Sequence, residues 1–336
     1  MSMVKSDFPE ALQVDLKVAF DEGREAATDG AYRTMIEVVP TTSSAKDEVF
    51  YGDRGNLRRF RGERQPQTFF EYSQTLHLDD WEMTHTVKRH VIDDDQSGGI
   101  LRNKITNFGN AAEVSVQRET WEFLRDGVSV EGFDTASLFD VNHVYTDTTG
   151  ATHGSVQGNI NYGGSQVDAT TVQIAEQHFA ELTNDRSKVI GMRLTDIVVK
   201  RGSVNHKSAR ELANSQFTVE ASTVKGTMTQ NVFNGAFNIM ATDYGFGASE
   251  WVAMDLSDAS MKPIKVLSST TSPGFDNMEF TVLLEESDAG FWRNEYAHGI
   301  FGRFGWNPGD WRSAFMHGSS TYSGFGTDNE RQVLPR

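Results

Sequence analysis

The sequence predicts an α+β chain of two interwoven lobes, with an outward-reaching arm rooted beside one long helix. Three observations carry that expectation. Apolar residues recur at helical spacing from about 97 to 127, the mark of a long amphipathic helix. Just before it, two stretches within 70–88 alternate apolar and polar residues with the period of strands. The remaining helix and strand signals follow no βαβ order, show no internal repeat and are not divided by a linker.

The chain has 336 residues, more than one average domain, which suits a two-lobed body. Its 31 Lys plus Arg against 47 Asp plus Glu give a net charge of −16. Such a balance argues against general nucleic-acid binding by phosphate neutralisation and favours solubility and mutual repulsion between copies. Cysteine is absent, which excludes disulfides, thiolate metal sites and cysteine nucleophiles. No apolar run approaches the roughly 18 residues that span a bilayer. The start, MSMVKSDFPEAL, lacks the apolar core of a signal peptide. A soluble, cytoplasmic product with no membrane partner is expected.

Residues 7–28 predict a helix. Asp7 can cap, Pro9 suits the first turn, and Glu10 lies three residues past Asp7 as in a capping box. Leu12, Leu16, Ala19, Gly23 and Ala27 form a thin apolar stripe, better matched to a neighbouring surface than to a central core. Met35–Val39 is a short buried strand, stopped by Pro40. A polar loop over 41–46 leads into an extended, Arg-studded loop from Asp47 to Gln67. Phe70, Tyr72, Leu76 and Leu78 then alternate with polar neighbours, and after Asp79 and Asp80 the alternation resumes at Trp81, Met83, His85 and Val87. Together these predict a long two-stranded projection, which needs something to lie on because an isolated hairpin has no core. In the long helix, Ile105, Phe108, Ala112, Val116, Phe123 and Leu124 mark the buried stripe and Gly127 the C-terminal stop. It spans on the order of 40 Å. Later signals predict a helix over 169–183, a buried strand at 197–199 and a short helix capped by Asn205 and running through Asn214. Strands follow within 217–239, at 251–254 and at 280–284, then an aromatic-rich segment over 301–315 and a Ser/Gly/Thr tail.

No catalytic, metal or cofactor site emerges. A calcium loop beginning at Asp93 would place Asp95, Ser97 and Gly98 well, but its twelfth position is Lys104, where a bidentate Glu must sit. Asp93, Asp94 and Asp95 instead suit the positive N-terminal end of the long helix. The nine histidines show no tight ligand spacing. His143 and His153, flanking a loop with Asp140 and Asp147, come nearest to a metal cluster. Serine-nucleophile, P-loop and dinucleotide fingerprints are absent, and pairs such as Glu285–Glu286 are ordinary in so acidic a chain. The informative cluster is Arg54, Arg58, Arg59, Arg61 and Arg64, with Phe60 among them. DNA contact, a solvated loop and an ionic clasp are its three readings. Guanidinium groups pair bidentately with carboxylates, and a second copy of this acidic chain supplies carboxylates in plenty, so protein–protein contact is the reading preferred.

Taken in order, these segments resemble the major head subunits of Mu-like tailed phages. The matching residues are Tyr32 leading into the Val38-Val39 strand, Tyr51-Gly52, and Leu57 through Arg64. They continue with Arg89 through Asp95 and Gly98, the long helix, Phe133-Asp134, and Leu138 through His143. Trp251 through Ser257 and Gly305-Trp306 to Trp311 extend the likeness. It covers most of 20–316, is strongest over 32–143, and departs where Phe60 stands in place of the family's frequent Trp.

The resemblance implies the Hong Kong 97-type capsid fold. It implies an N-terminal arm at 1–34, a P-domain over 35–144 with an E-loop (41–88) and a spine helix (97–127), an A-domain at 145–285, closing P-domain strands at 286–317, and a tail at 318–336. It further implies a structural, non-catalytic major capsid protein whose hexamers and pentamers close an icosahedral shell in the host cytoplasm and become part of the virion. Portal and scaffold or cement proteins are the implied partners, and double-stranded DNA is enclosed without sequence-specific binding. The alternatives are a non-viral, encapsulin-like compartment shell of the same fold, and a soluble enzyme using the His143 region.

Overall fold

The computed structural model describes residues 8–27, 30–52, 59, 62, 70–88, 90, 99–162, 166–219, 228–283 and 295–318. In chain order, helix α1 (Phe8–Ala27) precedes strands β1 (Ile36–Thr41), β2 (Ala45–Tyr51), β3 (Glu71–His77) and β4 (Asp79–Lys88). Helix α2 (Ile100–Arg125) follows, then β5 (His143–Thr146), β6 (Thr152–Gln157), β7 (Ile160–Tyr162) and helix α3 (Ala169–Glu181). Next come β8 (Asp196–Lys200), helix α4 (Val204–Asn214), β9 (Phe217–Val219), β10 (Met228–Gln230), β11 (Asn238–Thr242) and β12 (Trp251–Met254). The chain closes with β13 (Ile264–Ser269), β14 (Glu279–Leu283), β15 (Glu295–Pro308) and β16 (Ala314–Gly318).

The long helix lies where its periodicity places it. Ile105, Phe108, Ala112, Val116 and Leu124 are buried, with Trp121 added, while Phe123 is only half-buried. Its N-cap is Gly99, with no side-chain cap and no acid in the first turn. The Asp93–Asp95 triplet expected to act there lies outside the described residues.

The surface that the thin stripe of helix α1 meets belongs to its own subunit. The helix runs alongside α2 in the same direction: Asp15 and Glu22 both pair with Arg102, and the Gln117 amide donates to the Ala27 carbonyl at 2.6 Å. Two glycines allow the contact. A Cβ on Gly23 would lie 2.0 Å from the Thr106 carbonyl oxygen, and one on Gly109 would lie 2.1 Å from that of Phe20. Backbones this close bury a narrow stripe completely, so a thin line of apolar residues suffices. Leu16, Ala19 and Phe20 are buried with Ile105, Phe108 and Ala112, and Phe20 stacks on Phe280 of β14 at 4.8 Å.

The first sheet has the order β1-β13-β15-β14, with β4 also paired along β15. Strand β1 continues through Pro40 to Thr41 instead of stopping before it. Its pairing is to β13 alone, and the missing N–H of a proline is harmless on such an edge. The predicted two-stranded projection is redistributed. Strand β3 pairs with β2 from Tyr51–Glu71 to Ala45–His77, whereas β4 pairs with β15 from Lys88–Glu295 to Asp79–Phe304. The alternation on either side of Asp79 is real, but it serves two different sheets.

The second sheet has the order β11-β8-β12-β16-β7. Strand β12 is buried at every position and β8 at all but Lys200, as fits central strands covered on both faces. Ser203, not Asn205, caps α4 by accepting from the His206 N–H, while Asn205 is buried and accepts from the Val167 N–H. The lobes are interwoven more finely than the sequence boundaries suggest. Strands β13 and β14, from the segment expected to be A-domain, belong to the first sheet, and β16, expected to close the P-domain, completes the second. Pairing partners distant in sequence decide this, and no linear segmentation registers them.

Three imidazoles sit in apolar surroundings. His317 stacks on Trp251 at 4.1 Å, His178 on Phe315 at 4.3 Å, and His298 meets the Phe108 ring at 4.8 Å. Burial pushes each down to about 4 from the usual 6.5, helped at His298 by His85 and Lys104. The native state therefore holds neutral imidazoles, which the unfolded chain protonates first. Stability is fully present above about pH 6.5 and is lost as pH falls toward 4. For the enclosed His298 and His317 the loss is on the order of 2–3 kcal/mol each. Thermal melts of the free subunit between pH 7.5 and 4.5 are expected to show this decline, and His298→Gln is expected to flatten it.

Candidate functional site

The arm is held at both ends of its two-stranded stem. At the base, Leu76 packs with Val39 and Leu267 in a small cluster of its own. The His77 N–H donates to Asn307 Oδ1 at 2.7 Å, and Asn307 returns its amide to the His77 carbonyl at 3.0 Å. Lys265 of β13 reaches Glu48 of the stem at 2.6 Å and Glu37 of β1 at 3.8 Å.

At the outer end the stem plugs into the second lobe. The Tyr72 hydroxyl donates to Asp185 at 3.2 Å, and burial beside that carboxylate pushes the phenol above its ordinary range. A Cβ on Gly52 would lie 1.8 Å from Asp185 Oδ2, so glycine is what lets the strand pass. Phe70 stacks on the His153 ring at 3.6 Å and lies 5.6 Å from the Arg186 guanidinium. Asp147 in turn fixes His153 at 2.8 Å, and the Thr149 hydroxyl with His153 holds that carboxylate well below its usual range. The Gly52 N–H donates to the Phe70 carbonyl at 2.9 Å, closing the stem where the Arg-rich stretch begins.

Of the arm residues singled out by sequence, Arg59 is described and is exposed. Arg54, Arg58, Phe60, Arg61 and Arg64 lie outside the described residues. His143 and His153 do not converge on a common point. His143 is buried with Nδ1 2.7 Å from Asp134 and Nε2 2.9 Å from Asn159 Oδ1, and its ring stacks on Trp311 at 4.1 Å. Asn159 directs its amide to the Leu138, Trp311 and Ala314 carbonyls, so its oxygen is the atom facing the ring. Both nitrogens of His143 are thus engaged in knitting the loop after α2 to β16. Among the described residues no group of three or more His, Asp or Glu is arranged to hold a metal. Nor is any described helix long and apolar enough to cross a membrane.

A second node fixes α1 and the start of β1 on α2. The Glu113 side chain is 1% exposed and accepts from Tyr32 at 2.5 Å, Arg24 at 3.1 Å and Arg33 at 3.3 Å. Arg33 also pairs with Asp276 at 2.5 Å. Burial, with Glu113 close by, pushes the Tyr32 phenol far above its usual range. Glu113 was missed in the sequence although it lies inside the apolar stripe, one residue after Ala112 and three before Val116. A carboxylate at such a position needs buried cations, and that was its signal. Asp185 and Asn159 offered no comparable cue.

A long helix beside a strand-built lobe, a second five-stranded lobe and a two-stranded arm rooted on both make up the Hong Kong 97-type fold. Solved structures carry the same fold. The procapsid of bacteriophage JBD30 aligns with a TM-score of 0.54 at 17% identity, over 97% of this chain and 78% of that one. The JBD30 capsid decorated with minor capsid protein trimers aligns at 0.51 and 12% identity, over 88% and 66%. The capsid of cyanophage P-SCSP1u aligns at 0.50 and 7% identity, over 86% and 88%. No curated protein matches the sequence. Residues 10–167, just under half of the chain, match the family model of the Mu-like prophage major head subunit gpT. Over those residues the chain is similar to a major head subunit family, and this match together with the fold supports a major capsid protein. The family match does not favour the compartment-shell alternative.

Proposed function

We propose that the subunit forms hexamers and pentamers that close an icosahedral head around double-stranded DNA, assembled in the host cytoplasm, with a purely mechanical, non-catalytic role. The first lobe, from β1, β4, α2, β13, β14 and β15, serves as P-domain with α2 as spine. The second, centred on β8 and β12, serves as A-domain, and residues 41–88 include the E-loop. Portal and scaffold or cement proteins complete the head, and the DNA is held without sequence-specific contact. The observation that carries this reading is the stem: a hairpin pinned on both lobes, whose two strands are joined in sequence by an Arg-rich stretch. The Asp93–Asp95 triplet is assigned to the positive end of the spine helix.

In this reading Arg54, Arg58, Arg59, Arg61 and Arg64, with Phe60, clasp carboxylates of a neighbouring subunit. Without cysteine, cohesion rests on burial, strand pairing and ion pairs repeated around a closed, symmetric shell. Charge reversal of Arg58, Arg59 and Arg61 to Glu is expected to abolish shells while leaving the circular dichroism of the subunit unchanged. Normal particles from that variant, seen by negative-stain microscopy, would sink the clasp.

A further inference from the structure

Helices α3 and α4 of the second lobe carry opposite charge on their solvent faces. From Asp168 through Glu181, α3 and its N-cap hold three acids, Asp168, Glu176 and Glu181, and no Lys or Arg. From Lys200 through Asn214, the end of β8 and helix α4 hold Lys200, Arg201, Lys207 and Arg210 against Glu211 alone. With histidine neutral, three acids give the first stretch −3, and four cations with one acid give the second +3, in a chain of −16. Lys200, Lys207, Arg210, Asp168 and Glu181 are exposed, and Glu176 is half-buried. These charges do not meet within one subunit. The helices start side by side, since Asn205 of α4 accepts from the Val167 N–H, two residues before α3. Among the described residues, however, no ion pair joins them. Lys207 pairs with Glu211 on its own helix at 3.7 Å, and Lys200, Arg210 and Glu176 have no ionic partner among the described residues. Burial pushes the Glu176 carboxyl up from its usual range, with no cation beside it to offset the lost water.

Position in the sheet points to the partner. Helix α3 sits over β16 through His178 and Phe315, next to the edge strand β7, whereas α4 packs on β8 and the opposite edge strand β11. A ring of identical subunits closes by heterologous contact, with one side of each copy against the other side of the next. Complementary charge toward opposite edges supplies such a contact in a chain whose net charge otherwise makes copies repel. We infer that the cationic face of α4 receives the acidic face of α3 from a second copy, an ionic contact that orders the subunits around each ring. The inference rests on the hexamers and pentamers proposed above.

Carbodiimide joins amines to carboxylates that touch. Applied to particles assembled from a mixture of heavy-nitrogen and ordinary subunits, it is expected to yield peptides of mixed label linking Lys207 to Glu176 or Glu181. Capsomers in which that link is missing, or carries a single label state, overturn the inference. In parallel, Lys207→Glu with Arg210→Glu is expected to cut particle yield roughly tenfold or more with circular dichroism unchanged, because it sets like charges against each other. Adding Glu176→Lys with Glu181→Lys is expected to restore the yield. Normal particles from the α4 variant overturn the contact and leave the rings standing. Normal particles that have lost only their DNA overturn it too, and make the α4 face a nucleic-acid surface. An unaltered chain that forms no rings overturns both the contact and the reading beneath it.

Discussion

Deleting residues 1–27 is expected to cost the subunit its fold, and not merely its ability to assemble. Helix α1 buries Leu16 and Phe20 completely against α2 and β14. Each such side chain contributes about 1.5–3 kcal/mol. The deletion also strips Arg24 from the buried Glu113 and exposes the Ile105, Phe108 and Ala112 face of α2. The sum is on the order of 5 kcal/mol, comparable with the whole stability of many domains. The truncated chain is expected to lose its native circular-dichroism spectrum or to melt far below the full subunit. A truncated chain that folds with nearly full stability but forms no shells would return α1 to the status of an arm that acts between subunits.

Replacing Glu113 with Ala is expected to destabilise the subunit by about 3–5 kcal/mol, the usual consequence of removing one partner from a buried ionic cluster. The carboxylate is enclosed and is shared by Arg24, Arg33 and the Tyr32 hydroxyl, so its loss takes the common counter-charge from two guanidiniums at once. Glu113→Gln keeps the shape and part of the hydrogen bonding, and is expected to cost less, about 1–3 kcal/mol. Urea unfolding monitored by tryptophan fluorescence measures both. A Glu113→Ala loss below about 1 kcal/mol would contradict the description of this node.

The sequence made the elements of this fold far more legible than their assembly. Helix α2 could be read because a period of 3.6 persists from Ile105 to Leu124, and β8 because Ile197, Val198 and Val199 form an unbroken apolar run. The role of α1 could not be read, because what admits it to the core is the close approach at Gly23 and Gly109, and glycine leaves no mark in an apolar pattern. The split between β3 and β4 was hidden for a related reason. Alternation reveals that a strand has two faces but not which edge it pairs with, and Leu78 is all that separates two different sheets. Of the candidate site, the arginines were visible by their density alone. The socket formed by Asp185, His153 and Arg186 was invisible, since these residues lie more than 80 positions from Phe70 and Tyr72, which they hold. Around His143, nearness in sequence offers the closest approach to a cluster, and hydrogen bonding to Asp134 and Asn159 makes that histidine a structural brace.

The central claim is that this chain closes shells with copies of itself. Electron microscopy of the purified, full-length protein at micromolar concentration tests it most directly. Closed icosahedral particles with hexameric and pentameric capsomers are the predicted result. A folded subunit that stays monomeric across ionic strengths from about one Debye length of 30 Å down to 3 Å, with neither capsomers nor shells, would contradict it.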